Sequence, residues 1–423
     1  MKIKTKKATY EEVMRLPAFK HEKPVKPNLF FRSLVRAVSE PDLRAVHFSY
    51  TSDDISEISD MPCLYLMNHS SFIDLEIASK IIFPKPYSII CTSDGFVGKD
   101  WLLRQIGCIP TEKFVSDLML IKDIIYAVRK LNCSVLMYPE ASYTFDGTAT
   151  DLPEGLGKFI KKLGIPVLFI KTKGAFLRDP LYNMLQKRDV TVSAHLHYLL
   201  KPSLISEMTA EDIDLLLKDA FSFDNFKSQY EEKVIVDEPF RADGLERILY
   251  KCPCCLAEGH TEGKGIKLKC SNCGTEWVMD EYGRMKCQNN NCEYEHIPDW
   301  YRWERECVKQ ELIAGEYKLD TDVSIGLMVN HDAIYMIGGG HLVHDVNGFH
   351  LTGENGSFEY HQAPQSSYSC YSDYYWYELG DIICIGNKKC LYYCFPEAKG
   401  VVAKTRLATE ELYKLVTKSG LSV

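Results

Sequence analysis

The fold is decided by the stretch Leu64-Tyr-Leu-Met-Asn-His-Ser-Ser-Phe-Ile-Asp74, in which a short apolar run ends at a histidine. The run over 63–67 predicts a buried strand. The apolar residues that follow recur at helical spacing and predict a helix over 71–82. His69 is therefore expected in a strand-to-helix turn, where α/β proteins expose functional groups at the carboxyl end of a strand.

The spacing of His69 and Asp74 suggests chemistry at this turn. Residues five apart lie roughly 140° apart on a straight helix, so we expect His69 outside the helix and Asp74 turning back toward it. A carboxylate that reaches a histidine fixes its tautomer and stabilises the imidazolium, which predicts a general base. A second interpretation stays open, because Ser71 and Asp74 also fit a capping box in which Asp74 only caps the helix.

Three later stretches extend the pattern of residues 68–74. They are Gly107–Lys113, Tyr138–Ser142 and Ile165–Ile170. In this order the four blocks resemble the glycerolipid acyltransferase superfamily, which includes the 1-acylglycerol-3-phosphate (lysophosphatidate) acyltransferases. The resemblance covers roughly residues 60–200. It implies that His69 and Asp74 catalyse transfer of a fatty acyl group from acyl-CoA or acyl carrier protein to the hydroxyl of a lysophospholipid, in phospholipid biosynthesis.

The same resemblance implies residues that bind the acceptor, most directly 1-acylglycerol 3-phosphate. These expected substrate-binding residues are Asn68, Lys113, Glu140, Ser142, Lys171 and Lys173. Lys113 stands where the family has arginine, and a lysine binds phosphate as a point charge without the bidentate fork. In the third block Ala141-Ser142-Tyr143 replaces Gly-Thr-Arg, so the expected cation is missing.

Two explanations of that missing cation stay open. Lys171, Lys173 and Arg178, which follow the fourth block, are candidates to replace it. Alternatively, the acceptor is a different lysolipid or an amino-lipid. A further alternative for the whole chain is an inactive acyltransferase-like scaffold whose cysteine-rich region contacts a protein or a nucleic acid.

The cysteine-rich region predicts a metal site. Cys252-Pro-Cys-Cys255 and Cys270-Ser-Asn-Cys273 are two C-x2-C knuckles, whose four thiolates would hold Zn²⁺ tetrahedrally in a zinc ribbon. We expect this zinc to be structural, because four cysteines leave no open coordination position. Cys254 is a spare that could replace Cys255. A weaker third set favours a simple turn over a second metal site: Cys287, Cys292 and His296.

The charge of the chain is uneven. The net charge of −8 does not favour nucleic acid as a partner of the whole protein. Residues 1–36 carry ten Lys and Arg against three Glu, about +7, which leaves about −15 for the remainder. Within this basic segment, Leu29, Phe30, Leu34, Val35 and Val38 can share one face of a helix beside arginines, as in helices that lie in a lipid headgroup layer. A surface helix packed on the catalytic domain is the alternative.

The compartment expected from the sequence is the cytoplasm, with the protein peripheral on the membrane. The start of the chain has no secretory signal, and the scattered cysteines suit a reducing environment. No uninterrupted apolar run approaches the roughly 20 residues that span a bilayer.

The sequence predicts five segments. The first two are a basic amphipathic membrane-docking segment (1–45) and an α/β acyltransferase domain with a mostly parallel sheet covered by helices (46–240). A zinc ribbon (250–297) and a connecting helix (298–316) follow. The last is an antiparallel β domain with a final helix (317–423), which loosely resembles a PH-like barrel.

Overall fold

The computed structural model describes residues 2–115, 117–289 and 294–418. The chain begins with a short strand, β1 (Thr5–Lys7), a helix of five residues, α1 (Tyr10–Met14), and a long helix, α2 (Leu29–Ala45). Asn28 caps α2, because its side chain accepts a hydrogen bond from Phe31 N at 3.0 Å. None of the helices in the described part of the chain is sufficiently long and apolar to cross a membrane.

The acyltransferase-like region is an α/β domain built on a sheet of seven strands. The strands are β2 (Ser49–Ser52), β3 (Leu64–Met67), β4 (Tyr87–Thr92), β5 (Cys108–Thr111), β6 (Ser134–Met137), β7 (Val167–Lys173) and β8 (Ser193–Leu200). Their order is β2-β8-β7-β3-β6-β4-β5, and all neighbours are parallel except the antiparallel pair β7 and β8. The sheet is therefore mostly parallel, as predicted.

The helices of this domain lie between its strands and after the last one. They are α3 (Asp74–Ile82), α4 (Asp100–Ile106), α5 (Leu118–Arg129), α6 (Leu156–Leu163), α7 (Ala175–Arg178), α8 (Pro202–Glu207), α9 (Ala210–Phe221) and α10 (Asn225–Glu231). Side chains alternate across each strand. Tyr65 and Met67 pack with Ile77 of α3, while Leu64 and Leu66 form a second core with helices on the opposite face. Both faces of the sheet are thus covered.

Two details of this domain differ from the sequence-based expectation. The strand β2 was not predicted, because its sequence Ser-Tyr-Thr-Ser is polar and exposed and has no apolar run. The helical region expected over 209–233 is divided into α9 and α10. The division falls at 222–224, where Ser222 leaves the helical conformation and Asp224 caps the next helix.

The cysteine-rich region forms a small antiparallel sheet with the order β12-β11-β10-β9. Its strands are β9 (Thr261–Lys264), β10 (Lys267–Cys270), β11 (Glu276–Met279) and β12 (Met285–Cys287). Leu268 and Trp277 lie opposite each other and are fully buried. The connecting helix, α11 (Ile297–Ala314), follows, and its Trp300 ring lies 5.0 Å from the Trp277 ring.

The C-terminal region is an antiparallel sheet closed by a helix. Its elements are β13 (Leu319–Met328), β14 (Ile334–Asp345), β15 (Gly348–Gly353), β16 (Glu359–Gln362), β17 (Tyr371–Trp376), β18 (Gly380–Asn387), β19 (Cys390–Pro396) and α12 (Val401–Lys418). The order is β16-β15-β14-β13-β19-β18-β17. The PH-like label stays a prediction. The sequence predicts the final helix near 407–418, and α12 begins six residues earlier, at Val401.

The N-terminal segment does not behave as one docking segment. β1 joins the C-terminal sheet, where Thr5, Lys6 and Lys7 pair in parallel with residues of β14. The predicted segment 1–45 is therefore divided: its first strand belongs to the last sheet, and α2 lies on α3 and α4 of the α/β domain. Local sequence patterns carry no information about this long-range pairing.

Candidate active site

His69 and Asp74 meet at the turn between β3 and α3. Nδ1 of His69 lies 3.1 Å from Oδ2 of Asp74, which is almost completely buried. The same carboxylate oxygen accepts hydrogen bonds from the backbone N–H groups of Ser70 at 2.7 Å and Ser71 at 3.0 Å. Asp74 thus holds the turn and orients the imidazole. The capping box of Ser71 and Asp74 does not form, because α3 begins at Asp74 itself and its N-cap, Ile73, makes no side-chain cap hydrogen bond.

Two tyrosine rings pack against the imidazole. The ring centroid of His69 lies 4.3 Å from that of Tyr138 and 4.1 Å from that of Tyr143. The His69 side chain is 18% exposed. Because Nδ1 is bonded to Asp74, Nε2 is the nitrogen left for a substrate. Burial lowers the pKa of His69 and Lys113 lowers it further, while the bond to Asp74 opposes both effects. The imidazole is therefore favoured in its neutral, basic form.

Glu140 fixes the backbone of His69 from the third block. Its Oε2 accepts a hydrogen bond from His69 N at 2.9 Å, and its Oε1 accepts bonds from N and Oγ1 of Thr150. On the other side, Thr144 N donates to the carbonyl of His69 at 3.2 Å. Burial raises the pKa of Glu140 to about 7, although the hydrogen bonds from Thr150 and His69 lower it. The structure thus places Glu140 beneath the turn as a positioning group rather than in open contact with a ligand.

Asn68 and Ser142 differ in how their side chains are used. Asn68 donates to Ser70 Oγ at 3.0 Å and to Thr172 Oγ1 at 2.8 Å, and it accepts from Thr172 N at 2.8 Å. Asn68 therefore ties the end of β3 to β7. The Ser142 hydroxyl is buried and has no hydrogen-bond partner among the described residues. Before it, Ala141 adopts φ +58°, a left-handed conformation that favours glycine.

Lys113 lies close to the site but is covered by the C-terminal sheet. Its Nζ lies 4.1 Å from the ring centroid of Tyr371 in β17. Burial lowers the pKa of Lys113, and the carboxylates of Asp373 and Asp94 counter that effect. Lys113 is thus an interface cation with two acidic neighbours.

The three cations after the fourth block are not brought to His69. Lys171 Nζ donates to the carbonyls of Ala220 and Ser222, both at 3.3 Å, and Lys173 pairs with Glu232. Because Thr172 contacts Asn68, the side chains before and after it lie on the opposite face of β7. Arg178 is buried in ion pairs with Asp42 and Asp179. The structure therefore does not support the expectation that these residues replace the missing cation.

Four cysteine sulfurs of the predicted ribbon converge. The Sγ atoms of Cys252 and Cys273 lie 3.7 Å apart, as do those of Cys255 and Cys270, and all four sulfurs lie within 4.8 Å of one another. A tetrahedral zinc with Zn–S bonds of about 2.3 Å requires sulfurs roughly 3.8 Å apart. The donor set and its spacing therefore fit Zn²⁺.

The spare and weaker ligands do not join this group. Cys254 is exposed and is not one of the four converging residues. His296 Nε2 lies 2.8 Å from Asp224 Oδ2. Of the third set, Cys292 lies outside the described residues, Cys287 ends β12, and Nε2 of His296 is engaged with a carboxylate.

Several residues at the site were not predicted. Tyr138 and Tyr143 lie in the third block, where the aromatic position and the departure from arginine were visible in the sequence. Tyr371 and Asp373 come from a strand more than 200 residues later in the chain, and no motif there marks them. Only the packing of the C-terminal sheet brings them to Lys113.

Comparisons with known proteins agree with this site. Residues 48–171 match the Acyltransferase family model, so the chain carries an acyltransferase-family domain. The chloroplastic 1-acyl-sn-glycerol-3-phosphate acyltransferase BAT2 of Brassica napus is 29% identical over 120 residues, which are 27% of this chain and 34% of the relative. This chain therefore spans about a third of that relative's length. These matches support the predicted superfamily for this part of the chain.

A solved structure is also similar. The 1-acyl-sn-glycerophosphate acyltransferase PlsC from Thermotoga maritima shares 15% identity with this chain, with a TM-score of 0.37. The alignment covers 45% of this chain and 76% of the bacterial enzyme.

Proposed function

We propose that the protein is a peripheral membrane acyltransferase that moves a fatty acyl group from acyl-CoA or acyl carrier protein to the hydroxyl of a lysolipid. The observation that carries this proposal is the hydrogen bond from His69 to Asp74 at the end of β3, inside the segment that matches the Acyltransferase family. The family match supports the acyl transfer, and the geometry supplies a base for it.

The reaction follows from the neutral imidazole. Asp74 holds Nδ1–H, so Nε2 accepts the proton of the acceptor hydroxyl. The hydroxyl oxygen attacks the thioester carbonyl carbon and forms the new C–O bond. When the tetrahedral intermediate collapses, the C–S bond breaks, and the imidazolium returns the proton to the departing thiolate. The products are an ester and a free thiol.

The acceptor has two candidates. The sequence resemblance favours 1-acylglycerol 3-phosphate, and BAT2 is named for that substrate. The second candidate is a lysolipid without a phosphate monoester. It is favoured by Tyr143, which occupies the expected arginine position and packs on His69, and by Lys113, which faces two carboxylates.

The four converging cysteines support a structural zinc. When bound, Zn²⁺ would be held by Cys252, Cys255, Cys270 and Cys273 and would stabilise the fold of the ribbon. Because all four positions would be filled by thiolates, we assign this metal no part in acyl transfer.

The exposed apolar face of α2 supports membrane docking. Phe30 is 68% exposed and Val38 70% exposed, and Leu34 on the same face is exposed as well. The face continues onto α4, where the exposed Trp101 lies 6.0 Å from the Phe31 ring. Because α2 packs on the domain through other residues, this face is available to lipid.

The central experiment is the substitution His69→Ala. Loss of the base should reduce kcat/KM for acyl transfer by about 10²–10⁴-fold without unfolding the protein. Release of free thiol from palmitoyl-CoA, with lysophosphatidate and monoacylglycerol tested separately, measures the rate. The matched control is His195→Ala, since His195 also pairs with a carboxylate, Asp53 at 3.0 Å. Near-normal turnover of the folded His69→Ala protein would refute the proposal.

A further inference from the structure

The C-terminal sheet forms a wall beside the candidate active site. Tyr371 OH donates to Oδ2 of Asp94 at 2.6 Å, and Trp376 Nε1 donates to the same oxygen at 3.1 Å. Asp94 lies just after β4, and the Tyr371 ring also covers Lys113 after β5. β17 is therefore joined to the α/β domain by buried, specific contacts next to the second sequence block.

The cations around this wall are already engaged, because Lys113 faces two carboxyl groups and Arg406 is paired with Glu410. Lys113, whose charge lowers the pKa of His69, faces the carboxyl groups of Asp94 and Asp373. A phosphate monoester entering here would meet more acidic groups than unpaired cations, and this arrangement disfavours a doubly negative headgroup.

Tyr143 contributes a second barrier to phosphate. Its ring lies between the His69 ring at 4.1 Å and the exposed Phe72 ring at 5.4 Å. Burial raises the pKa of the Tyr143 phenol most strongly, and the carboxyls of Asp74, Asp373 and Asp179 raise it further. Tyr143 therefore gives the site an aromatic surface that has acidic groups around it and offers no charge to bind phosphate.

Three buried polar atoms near these residues lack protein partners among the described residues. They are Oδ1 of Asp94, the hydroxyl of Tyr138 and the hydroxyl of Ser142. A buried polar group without a partner costs about 1–3 kcal/mol. As part of an ionised carboxylate, the Asp94 oxygen can only accept a hydrogen bond, while the two hydroxyls can donate or accept. A ligand hydroxyl group can donate to an ionised carboxylate such as Asp94, whereas a phosphate dianion has no proton to donate.

We propose that the acceptor is a lysolipid with a neutral, hydroxyl-bearing headgroup, such as a monoacylglycerol, bound beside His69, with Tyr143 and Asp373 setting the preference against a phosphate monoester. This inference rests on the proposed acyltransferase function. The same bonds form and break as in the reaction proposed above. The glycerol hydroxyl forms the ester C–O bond, the thioester C–S bond breaks, and His69 carries the hydroxyl proton to the thiolate.

The test compares two acceptors on the full-length protein. Palmitoyl-CoA is the donor, and 1-monooleoylglycerol or 1-oleoyl-lysophosphatidate is the acceptor, at equal surface concentration in vesicles of neutral phospholipid. We expect kcat/KM for the monoacylglycerol to exceed that for lysophosphatidate by about tenfold or more. Tyr143→Arg should shift this ratio toward lysophosphatidate by about tenfold, because it adds a phosphate-binding fork. Asp373→Asn should shift it the same way, since it frees Lys113 from one carboxylate.

The control is Tyr50→Arg, which adds the same charge on the exposed edge strand β2 and should leave the ratio unchanged. If Tyr143→Arg does not fold, Asp373→Asn and the wild-type ratio decide the outcome. A wild-type preference for lysophosphatidate, or a ratio that neither folded variant moves, would overturn this inference and leave the proposed function standing. Absence of His69-dependent transfer to either acceptor would instead overturn the proposed function.

Discussion

At the scale of single residues, the chemistry of the site depends on how His69 is held. Its imidazole is bonded to Asp74, its N–H to Glu140, and its carbonyl to Thr144. Each of these contacts restrains a different part of the residue, so the ring has little freedom to rotate away. Such preorganisation is what a general base requires, because the acceptor hydroxyl must meet Nε2 in a defined direction.

The pH dependence of the rate should report the environment of His69. Burial and Lys113 lower the pKa of His69, so the base is neutral at pH 7 and is protonated only below its ordinary value of 6.5. We expect kcat/KM to fall on the acid side, with a midpoint below pH 6.5. Removing the positive neighbour by Lys113→Met should raise the pKa of His69 and move the midpoint to higher pH.

A pH–rate profile between pH 4.5 and 8 measures this midpoint. Lys201→Met is the control, since Lys201 is an exposed lysine paired with Glu57 at 2.8 Å. A midpoint that Lys113→Met leaves unchanged, or moves to lower pH, would contradict the assigned interaction.

Ala141 gives a prediction about stability. Its φ of +58° is costly for a residue with a Cβ, by roughly 1–2 kcal/mol. Ala141→Gly removes that strain, although glycine also increases the entropy of the unfolded chain. We expect a net increase of about 0.5–1 kcal/mol in the free energy of unfolding, measured by urea titration. Ala37→Gly, in the exposed middle of α2, should instead lower it by about 0.5–1 kcal/mol; a loss at both positions would refute the argument.

The residue scale also shows what a sequence can reveal about a site. The pairing of His69 and Asp74 followed from a short spacing and a strand-to-helix turn, both of which are local. The contact of Lys113 with Tyr371 depends on the packing of distant elements, so no spacing could predict it. Glu140 was expected to contact the substrate, but its acceptor oxygens are taken up by backbone and hydroxyl donors.

At the scale of elements, apolar pattern and fold agree where burial is complete. All four residues of β3 are buried, and the strand was predictable as an apolar run. The edge strand β2 is exposed along its length, so no burial constrained its sequence. The exposed apolar face of α2 is the opposite case: the pattern is strong, and the structure leaves it uncovered by the described residues.

This face predicts that α2 controls binding to membranes. Phe30→Asp combined with Val38→Asp places two charges where apolar side chains would enter lipid, and each buried side chain is worth about 1.5–3 kcal/mol. We expect at least a tenfold loss of binding to anionic vesicles, measured by co-sedimentation. The control is Leu215→Asp on α9, because Leu215 is as exposed as Phe30, at 68%. Equal losses in both proteins would show that α2 has no special role.

At the scale of the whole molecule, the parts share one hydrophobic core. A single buried cluster includes Phe176 of the α/β domain, Trp277 of the ribbon, Trp300 of α11, Ile325 of β13 and Leu407 of α12. Composition and motifs predicted a series of consecutive segments. Their fusion through one core was not predictable, because it depends on which apolar faces meet after each part has folded.

The shared core predicts that zinc affects the whole protein. Cys252 and Cys270 belong to this core, so loss of the metal would loosen it. We expect at least one equivalent of zinc in the purified protein, and we expect Cys273→Ser or a chelator to remove it. The lost binding energy of several kcal/mol should lower Tm by roughly 10 °C.

Metal analysis and calorimetry together test this prediction. Cys307→Ser on α11 is the control, because Cys307 is not among the converging cysteines. A metal-free wild-type protein that is fully folded and melts at the same temperature would disprove the zinc site.

The pairing of β1 with β14 joins two strands that the ribosome synthesises at different times. Thr5 pairs with Ile334, which is 329 positions later (334 minus 5). At roughly 5–20 residues per second, a ribosome needs on the order of 15–65 s to make the second residue after the first. For that interval the opening strand of the nascent chain emerges without the neighbour it will have in the finished sheet. Translation must therefore reach Ile334 before β1 can take its place in the sheet.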